Sequence, residues 1–240
     1  MPFDQNSKYP QRISLRGVMV YPFADIDALI DFADKEKGIL VAINAEKILN
    51  ATPVTLDIIN NNIAYCDGSG PVMAARQKGA HPEKIAGCEL WLRIIERFHN
   101  SRTFYIIGAT QEVNDIAVEK LRKEYPGIQI VGNRNGYLSS DEERETLISD
   151  VVDKKPDFVF VAMGSPKQEF LMADMLKRHK AVYQGLGGSL DVYTEKVKRA
   201  PKWWIDHNIE FAYRLINQPK RITRNISYIK FAWWLATKQF

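Results

Sequence analysis

Short apolar runs that alternate with longer helical patterns constrain the fold of this chain more than any other feature. Runs rich in β-branched and aromatic residues occupy positions 39–43, 103–107, 128–131, 158–163 and 182–185, with a weaker one at 63–66. Helical patterns occupy 24–36, 45–61, 87–99, 111–125, 140–154 and 166–179. Continuous apolar strands separated by helices are typical of a parallel sheet covered on both faces. The sequence therefore predicts an α/β, Rossmann-like fold.

The C-terminal segment differs from the rest of the chain in charge and in aromatic content. Residues 196–240 contain ten Lys or Arg against two acids, a net charge of +8, whereas residues 1–195 carry −4 and the whole chain +4. Four of the five tryptophans also lie in this segment. We expect residues 1–195 to form the Rossmann-like domain and residues 196–240 to form a helical appendage. A charge asymmetry of this size indicates an anionic partner.

The appendage has the pattern of a membrane-surface helix. Pro219 is expected to end a helical stretch over 208–217, and a second helix should begin soon after it. In that second helix Ile222, Ile226, Ile229 and Trp233 recur at helical spacing and form one apolar stripe. Basic residues and tryptophan on an amphipathic helix are typical of a segment that lies in a membrane interface.

Neither a membrane-spanning helix nor a signal peptide is expected from the sequence. No apolar run reaches the roughly 18 residues that a spanning helix needs. The first twelve residues, MPFDQNSKYPQR, are polar and lack the apolar core of a signal peptide. The sequence therefore predicts a cytoplasmic protein that binds the inner face of the membrane peripherally.

Polar and glycine-rich segments follow the predicted strands. They are 44–47 (NAEK), 67–70 (DGSG), 108–110 (GAT), 132–137 (GNRNGY), 164–169 (GSPKQE) and 187–191 (GGSLD). Ligands of open parallel sheets bind beyond the carboxyl ends of the strands, so these segments predict a site for a polar, phosphate-bearing ligand. None of them matches GxGxxG or GxxxxGK[ST], which disfavours a dinucleotide dehydrogenase and a P-loop protein.

Two of these segments contain candidates for chemistry at the strand ends. Asp67 could be a general base held in the crevice, or the residue of an Asx turn or helix cap, and the sequence leaves both interpretations open. Ser165 and Pro166 have the pattern of a helix start, with Gln168 closing a capping box. The same helix N-terminus could offer backbone N–H groups to an anion or a sugar hydroxyl.

Further candidates fit the recognition of a nucleotide. Tyr137 could stack on a flat base or pack against the domain. Asp191, which follows Gly187 and Gly188, could hydrogen-bond a ribose or a base, or cap a turn. In the basic appendage, guanidinium groups that would otherwise be solvated could clamp a diphosphate, because they bind phosphate oxygens bidentately. The residues in question are Arg214, Arg221 and Arg224.

The sequence predicts no metal site. Its one DxD segment, Asp25-Ile26-Asp27, precedes helical residues and does not end a strand. The four histidines lack ligand spacing, and the two cysteines, Cys66 and Cys88, are too few and too far apart for a zinc cluster. Without a metal, arginines would have to neutralise a leaving diphosphate.

Taken together, several segments resemble the WecG/TagA/CpsF family of bacterial glycosyltransferases. They are 42–46 (AINAE), 67–68 (DG), 136–137 (GY), 163–169 (MGSPKQE), 185–188 (GLGG) with Asp191, 197–201 (VKRAP), 210–215 (EFAYRL) and 218–219 (QP). The resemblance covers the chain from about position 15. It implies a Rossmann-like fold, inversion at the anomeric carbon, neither a required metal nor a cofactor, and a C-terminal appendage that closes the site at the membrane.

The resemblance also implies a role for each matched residue. Asp67 corresponds to the proposed base, and Asn44 and Gln168 to residues that contact the sugar. The uracil pocket corresponds to Tyr137 and Asp191, with Gly187 and Gly188 leading into it. The diphosphate-binding arginines of the appendage correspond to Arg214, Arg221 and Arg224.

Within the family, the stretches VAINAEK and VAMGSPKQE most resemble members that build enterobacterial common antigen. That likeness implies transfer of N-acetylmannosaminuronic acid from UDP to GlcNAc-diphosphate-undecaprenol. Ala42 stands where members of the teichoic acid type carry threonine near the donor sugar, a departure that favours the uronic acid donor over the alternative, UDP-N-acetylmannosamine. A desolvated uronic carboxylate needs a cation, and Lys47 is the candidate, with a solvated helix lysine as the other interpretation.

Two other classes of protein fit parts of the sequence. The basic, aromatic appendage would suit a nucleic-acid-binding module, but the rest of the chain is acidic and gathers its polar segments at strand ends. A UDP-sugar epimerase would suit the fold, but the dinucleotide fingerprint is missing and the appendage has membrane character. We therefore expect a UDP-sugar donor, a lipid-linked acceptor and a membrane surface as partners, and no nucleic acid.

Overall fold

A six-stranded parallel sheet organises the protein in a computed structural model that describes residues 9–197 and 225–240. A hairpin of β1 (Ile13–Leu15) and β2 (Val18–Val20) precedes the sheet. The sheet strands are β3 (Gly38–Ile43), β4 (Ile63–Cys66), β5 (Thr103–Gly108), β6 (Gln129–Arg134), β7 (Phe158–Ala162) and β8 (Val182–Gly185). Their order is β4-β3-β8-β7-β5-β6, and every neighbouring pair is parallel. The predicted α/β fold is confirmed.

Helices cover both faces of this sheet. In chain order they are α1 (Ile26–Glu36), α2 (Ala45–Leu49), α3 (Pro53–Asn60), α4 (Ser69–Gln77), α5 (Gly87–Phe98), α6 (Gln111–Glu124), α7 (Asp141–Lys154), α8 (Lys167–Arg178), α9 (Ser189–Tyr193) and α10 (Asn225–Ala236). Apolar side chains of α2, α3, α4, α7, α8 and α10 pack on one face, and those of α1, α5, α6 and α9 on the other.

The strands are buried on both sides, which explains their continuous apolar sequences. In β3, Ile39 and Val41 contribute to one core cluster while Leu40 contributes to the other, because successive strand side chains point to opposite faces. Trp91 of α5 is 1% exposed and anchors the second cluster against Phe160. Burying a large apolar side chain of this kind stabilises a fold by about 1.5–3 kcal/mol. The two clusters therefore stabilise the sheet whose strand ends carry the polar segments.

Several predicted boundaries differ from those in the structure, and the largest difference has a local cause. The pattern at 45–61 forms two helices and not one, because Thr52 caps α3 in a reciprocal pair with Thr55 and Pro53 begins the new helix. Strand β6 extends to Arg134, so part of the predicted loop 132–137 belongs to the strand. Strand β7 ends at Ala162, one residue earlier than expected.

The structure also contains elements that the sequence did not indicate. The β1–β2 hairpin has strands of three residues each, too short to produce a periodic signal. Helix α4 begins at Ser69, directly after the Asp67-Gly68 pair, and contains Gly70 and Pro71 in its first turn. Glycine and proline there have the composition of a loop, and proline is accepted because the first helical N–H groups need no partner within the helix.

The C-terminal helix α10 packs against α2 and α4, the helices that follow β3 and β4. A Cβ built on Gly70 would lie 2.8 Å from Phe231, so glycine gives that ring its place on the first turn of α4. The Arg16 guanidinium lies 3.9 Å from the centre of the Trp234 ring, and Gln77 Nε2 donates to the Leu235 carbonyl at 2.7 Å. The predicted helical stretch 208–217 lies outside the described residues, and the boundary at residue 196 stays a prediction.

Candidate active site

The carboxyl ends of the six strands form one edge, and the sheet order decides which polar segments meet there. The segments after the neighbouring strands β3 and β8 lead to helices on opposite faces, α2 and α9 respectively. Such a divergence opens a crevice, and it is where ligands of open α/β sheets bind. Asn44 follows β3 at this point, Gly187 follows β8, and Asp67 follows the adjacent edge strand β4.

Four of the predicted residues belong to one chain of polar contacts across this crevice. Asn44 caps α2, and its Oδ1 accepts from the Lys47 backbone N–H at 2.9 Å. Lys47 Nζ pairs with Glu169 Oε1 at 2.7 Å, and Gln168 Nε2 reaches the same oxygen at 3.5 Å. The Gly187 backbone N–H donates to Gln168 Oε1 at 3.0 Å. The segments after β3, β7 and β8 are therefore tied together.

Gln168 does not close a capping box, so that prediction is wrong. Helix α8 begins at Lys167 with Pro166 as its N-cap, and no side chain caps it. The Gln168 side chain is 5% exposed and turns toward β8 instead. A Cβ on Gly185 would lie 2.2 Å from Gln168 Nε2, so the last residue of β8 must be glycine for the amide to cross it.

Asp67 lies at the open end of β4 and is half-buried. Its backbone N–H donates to the Ile43 carbonyl at 2.8 Å, which fixes it beside the residue that precedes Asn44. Gly68 follows with φ +106°, a conformation that favours glycine and turns the chain sharply into α4. Asp67 is thus not the N-cap of this helix, because Gly68 occupies that position.

Two titratable neighbours on the same strand cannot compete with Asp67 as a base at neutral pH. Burial raises the pKa of the Cys66 thiol to about 12, and the Asp67 charge adds to the shift. Burial likewise raises the pKa of the Tyr65 phenol well above its usual value, with a further contribution from Asp67. Both groups therefore stay protonated.

Lys47 belongs to the crevice and is not a solvated helix lysine. Its side chain is 19% exposed, and that of its partner Glu169 is 6% exposed. The second carboxylate oxygen of Glu169 is buried and accepts no hydrogen bond from the described part of the chain. Glu169 is a member of the site that the sequence interpretation missed, although it ends the PKQE segment. The available signal was an acid directly after Gln168 in the polar segment that follows β7.

The residues expected to bind the base lie in other segments of the same edge. Tyr137 is 66% exposed and follows Gly136, whose backbone N–H donates to the Ala109 carbonyl beyond β5 at 3.0 Å. This contact folds the segment after β6 back toward the neighbouring strand β5. Asp191 lies in α9 with its carboxylate beside Gly188. No contact joins Tyr137 to Asp191 within the described residues.

The predicted diphosphate clamp lies outside the described residues. Its members are Arg214, Arg221 and Arg224.

The predicted apolar stripe is described only in part, because Ile222 and the Ile226 side chain also lie outside the described residues. The remaining stripe residues are exposed on α10, Ile229 by 73% and Trp233 by 55%. Phe231 and Trp234 face the core instead and are buried. The described helices include none that is long and apolar enough to cross a bilayer.

The acids of the DxD segment already have structural partners. Asp25 caps α1 and accepts from the Ala28 backbone N–H at 2.7 Å. Asp27 lies 3.7 Å from Arg93 and 3.8 Å from Arg97. Across residues 9–197 and 225–240, no three His, Cys, Asp or Glu side chains cluster as metal ligands would.

Comparison with models of known protein families identifies the family of the chain. The model of the glycosyl transferase WecG/TagA/CpsF family matches residues 19–240. The chain belongs to this family. It is therefore a glycosyltransferase of the WecG/TagA/CpsF type, with a nucleotide-sugar donor and a glycosyl acceptor. The matched range includes the crevice, the β1–β2 hairpin from Met19 onward and the whole of α10.

Proposed function

We propose that this glycosyltransferase moves N-acetylmannosaminuronic acid from UDP to GlcNAc-diphosphate-undecaprenol, with inversion and without a metal. The acceptor would be the first lipid-linked intermediate of enterobacterial common antigen and the product the second. The observation that carries the proposal is the position of Asp67, half-buried at the open end of β4 beside the polar chain that includes Asn44 and Gln168. A UDP-N-acetylmannosamine donor, or another UDP-hexose, is the alternative.

The proposed reaction is a single displacement. The Asp67 carboxylate takes the proton of the acceptor hydroxyl, whose oxygen forms a bond to the anomeric carbon as the bond from that carbon to UDP breaks. Because attack comes from the face opposite the leaving group, the configuration inverts. Asn44 and Gln168, fixed in the crevice by their backbone partners, would hold the donor sugar in line.

UDP would leave against the arginines of the appendage. Arg214, Arg221 and Arg224 enter this step on the family resemblance, and bidentate guanidinium contacts suit a diphosphate. Tyr137 and Asp191 would bind the uracil. If the appendage reaches the crevice only at a membrane, closure would exclude water and limit donor hydrolysis.

Attachment to the cytoplasmic leaflet would use the exposed side of α10. Ile229 and Trp233 point outward while Phe231 and Trp234 hold the helix to α2 and α4. The contrast supports an interfacial helix, since an apolar face that no described residue covers is suited to lipid. Trp233→Ala should therefore weaken sedimentation with anionic vesicles without lowering the Tm, whereas Trp234→Ala should lower the Tm.

The Lys47–Glu169 pair bears directly on the choice of donor. A uronic carboxylate placed near Lys47 would share that cation with Glu169. Lys47 would therefore contribute only modestly to the binding free energy of the uronic donor. The pair also favours the alternative, because a neutral sugar hydroxyl needs no net positive charge. If Lys47 recognises the uronate, Lys47→Ala should reduce the preference for the uronic donor over the neutral one by about tenfold, the effect of ~1.4 kcal/mol. An unchanged preference would remove Lys47 from donor recognition.

The experiment that tests the proposal compares donors in a single assay. Purified full-length protein, GlcNAc-diphosphate-undecaprenol and EDTA are combined with UDP-N-acetylmannosaminuronic acid or with UDP-N-acetylmannosamine, and lipid-linked product is measured. Turnover of the uronic donor supports both the donor and the metal-free mechanism. Preference for the neutral donor supports the alternative. Turnover that appears only after a divalent cation is added would contradict the metal-free step.

A further inference from the structure

Two buried polar atoms near Asp67 have no hydrogen-bond partner among the described residues. They are the Tyr65 hydroxyl and Oε1 of Gln184, and both residues are 0% exposed. Leaving a buried polar group unpaired destabilises a protein by about 1–3 kcal/mol, so each case requires a physical explanation. Neither residue was singled out from the sequence, because both read as ordinary strand positions.

The geometry brings both groups to the first turn of α5. Tyr65 and Asp67 are two positions apart along β4 and its extension, so their side chains leave the same face of the sheet. A Cβ built on Gly87 would lie 3.1 Å from the Tyr65 hydroxyl oxygen, 3.8 Å from Asp67 Oδ2 and 3.5 Å from the Ala42 Cβ. The phenol and the carboxylate are therefore neighbours of the same glycine.

Gln184 keeps that glycine in position. Its Nε2 donates to the Gly87 carbonyl at 2.8 Å. Since a carbonyl can only accept, the amide orientation is fixed and Oε1 must face away from Gly87. Gly87 has no Cβ, so no side-chain atom of this residue stands against the Tyr65 hydroxyl.

Burial decides which of these groups can meet a substrate. Tyr65 is sealed from solvent, whereas Asp67 is half-buried at the open edge of the sheet. A substrate that enters the crevice therefore reaches the carboxylate and not the phenol. Any effect of Tyr65 on the reaction has to pass through Asp67.

We propose that Tyr65 is a positioning residue for Asp67, donating its hydroxyl hydrogen to the carboxylate from the buried side in the reacting state. This inference rests on the proposed function, in which Asp67 is the base. A donor on the buried side would hold one carboxylate oxygen and leave the other for the incoming acceptor hydroxyl. Because a hydrogen bond to the charged form favours that form, it would also keep Asp67 ionised.

The pH dependence of kcat, which reports groups in the enzyme–substrate complex, separates positioning from a purely structural role. In Tyr65→Phe the carboxylate loses its donor, so the acid limb should move to higher pH by about one unit, a tenfold loss at a pH on that limb. Tyr183→Phe is the matched control, because Tyr183 is equally buried on the other face and donates to the His179 carbonyl at 2.8 Å. It should leave the acid limb in place.

A second variant reaches the same contact without removing a polar group. Gly87→Ala places a methyl group against both the phenol and the carboxylate, at a helical position where alanine is favoured over glycine. The variant should therefore fold, and its acid limb should still move to higher pH. The other titratable groups nearby, Cys66, Lys84, Cys88 and Glu89, are the same in all these variants.

Tyrosine labelled at Cζ with ¹³C gives a readout that does not depend on turnover. The Tyr65 signal, identified by its loss in Tyr65→Phe, should shift in Asp67→Asn, while Asp57→Asn on exposed α3 should leave it unchanged. An unmoved acid limb in both Tyr65→Phe and Gly87→Ala, with an unmoved Tyr65 signal, overturns the positioning role while an inactive Asp67→Asn still supports the base. Full turnover by Asp67→Asn would instead overturn the base assignment itself.

Discussion

The two sides of the carboxyl edge of the sheet are built differently. On the side of β4, β3, β8 and β7, the polar residues are buried or half-buried, and Lys47, Glu169 and Gln168 join one chain of contacts. On the side of β5 and β6, Tyr137 is 66% exposed, and its segment is held by surface contacts such as Asn135 to Gln111 at 3.0 Å. Rigid, buried groups suit bond-making, and an open aromatic suits a ligand that must enter and leave.

The largest effect is expected at the buried side. Asp67→Asn keeps the shape of the side chain but removes the base, so transfer should fall by about 10²–10⁴-fold. Single-turnover transfer with the preferred donor measures this loss. Asp57→Asn, the same substitution on exposed α3, should transfer at the normal rate. A loss confined to KM would show that Asp67 binds substrate and does not take the proton.

A smaller effect is expected when the chain of contacts is cut. Gln168→Ala leaves the Gly187 backbone N–H without its acceptor, which destabilises by about 1–3 kcal/mol, and it frees the segments after β7 and β8. We expect a lower Tm together with reduced kcat. Gln111→Ala is the same substitution on the open side, and it should change both values less. Equal losses in the two variants would contradict the difference between the two sides.

The smallest effect is expected at Tyr137. Removing an exposed ring should leave the Tm unchanged, while loss of stacking on a base raises the KM for the UDP-sugar by about tenfold. Tyr137→Phe keeps the ring and should retain the normal KM. Inhibition of transfer by free UDP, measured in both variants, tests the same loss of base stacking with a ligand that has no sugar. A kcat defect with unchanged KM would place Tyr137 in the chemical step.

The fold was predictable because its strands are buried on both faces and its helices are periodic. The runs at 39–43, 103–107 and 182–185 became β3, β5 and β8 with at most one residue of difference. The α4 helix was not predictable, because Gly70 and Pro71 in its first turn give it the composition of a loop. The break between α2 and α3 was visible in Thr52 and Pro53, but helical periodicity on both sides concealed it.

The site was predictable only as a set of segments. The segments that contain Asn44, Lys47, Gln168 and Gly187 were identified because polar and glycine residues follow the strands, the family resemblance pointed to Asn44 and Lys47, and the structure brings the four residues together. Their mutual contacts could not be predicted, since the order β4-β3-β8-β7 is a property of the whole chain and not of any segment. Tyr65 and Gln184 were missed because a buried polar residue in a strand has no distinctive spacing.

The position of β8 has a consequence for the order in which the molecule can assemble. β8 pairs with β3 on one side and β7 on the other, although it follows both in the chain. Until residues 182–185 emerge during synthesis, β3–β4 and β5–β6–β7 form two separate partial sheets, each with an unpaired edge. Long-range parallel pairing of this kind slows folding, and open edges favour aggregation. The crevice would accordingly form in the last step of folding, and chains that stop before β8 should depend on chaperones.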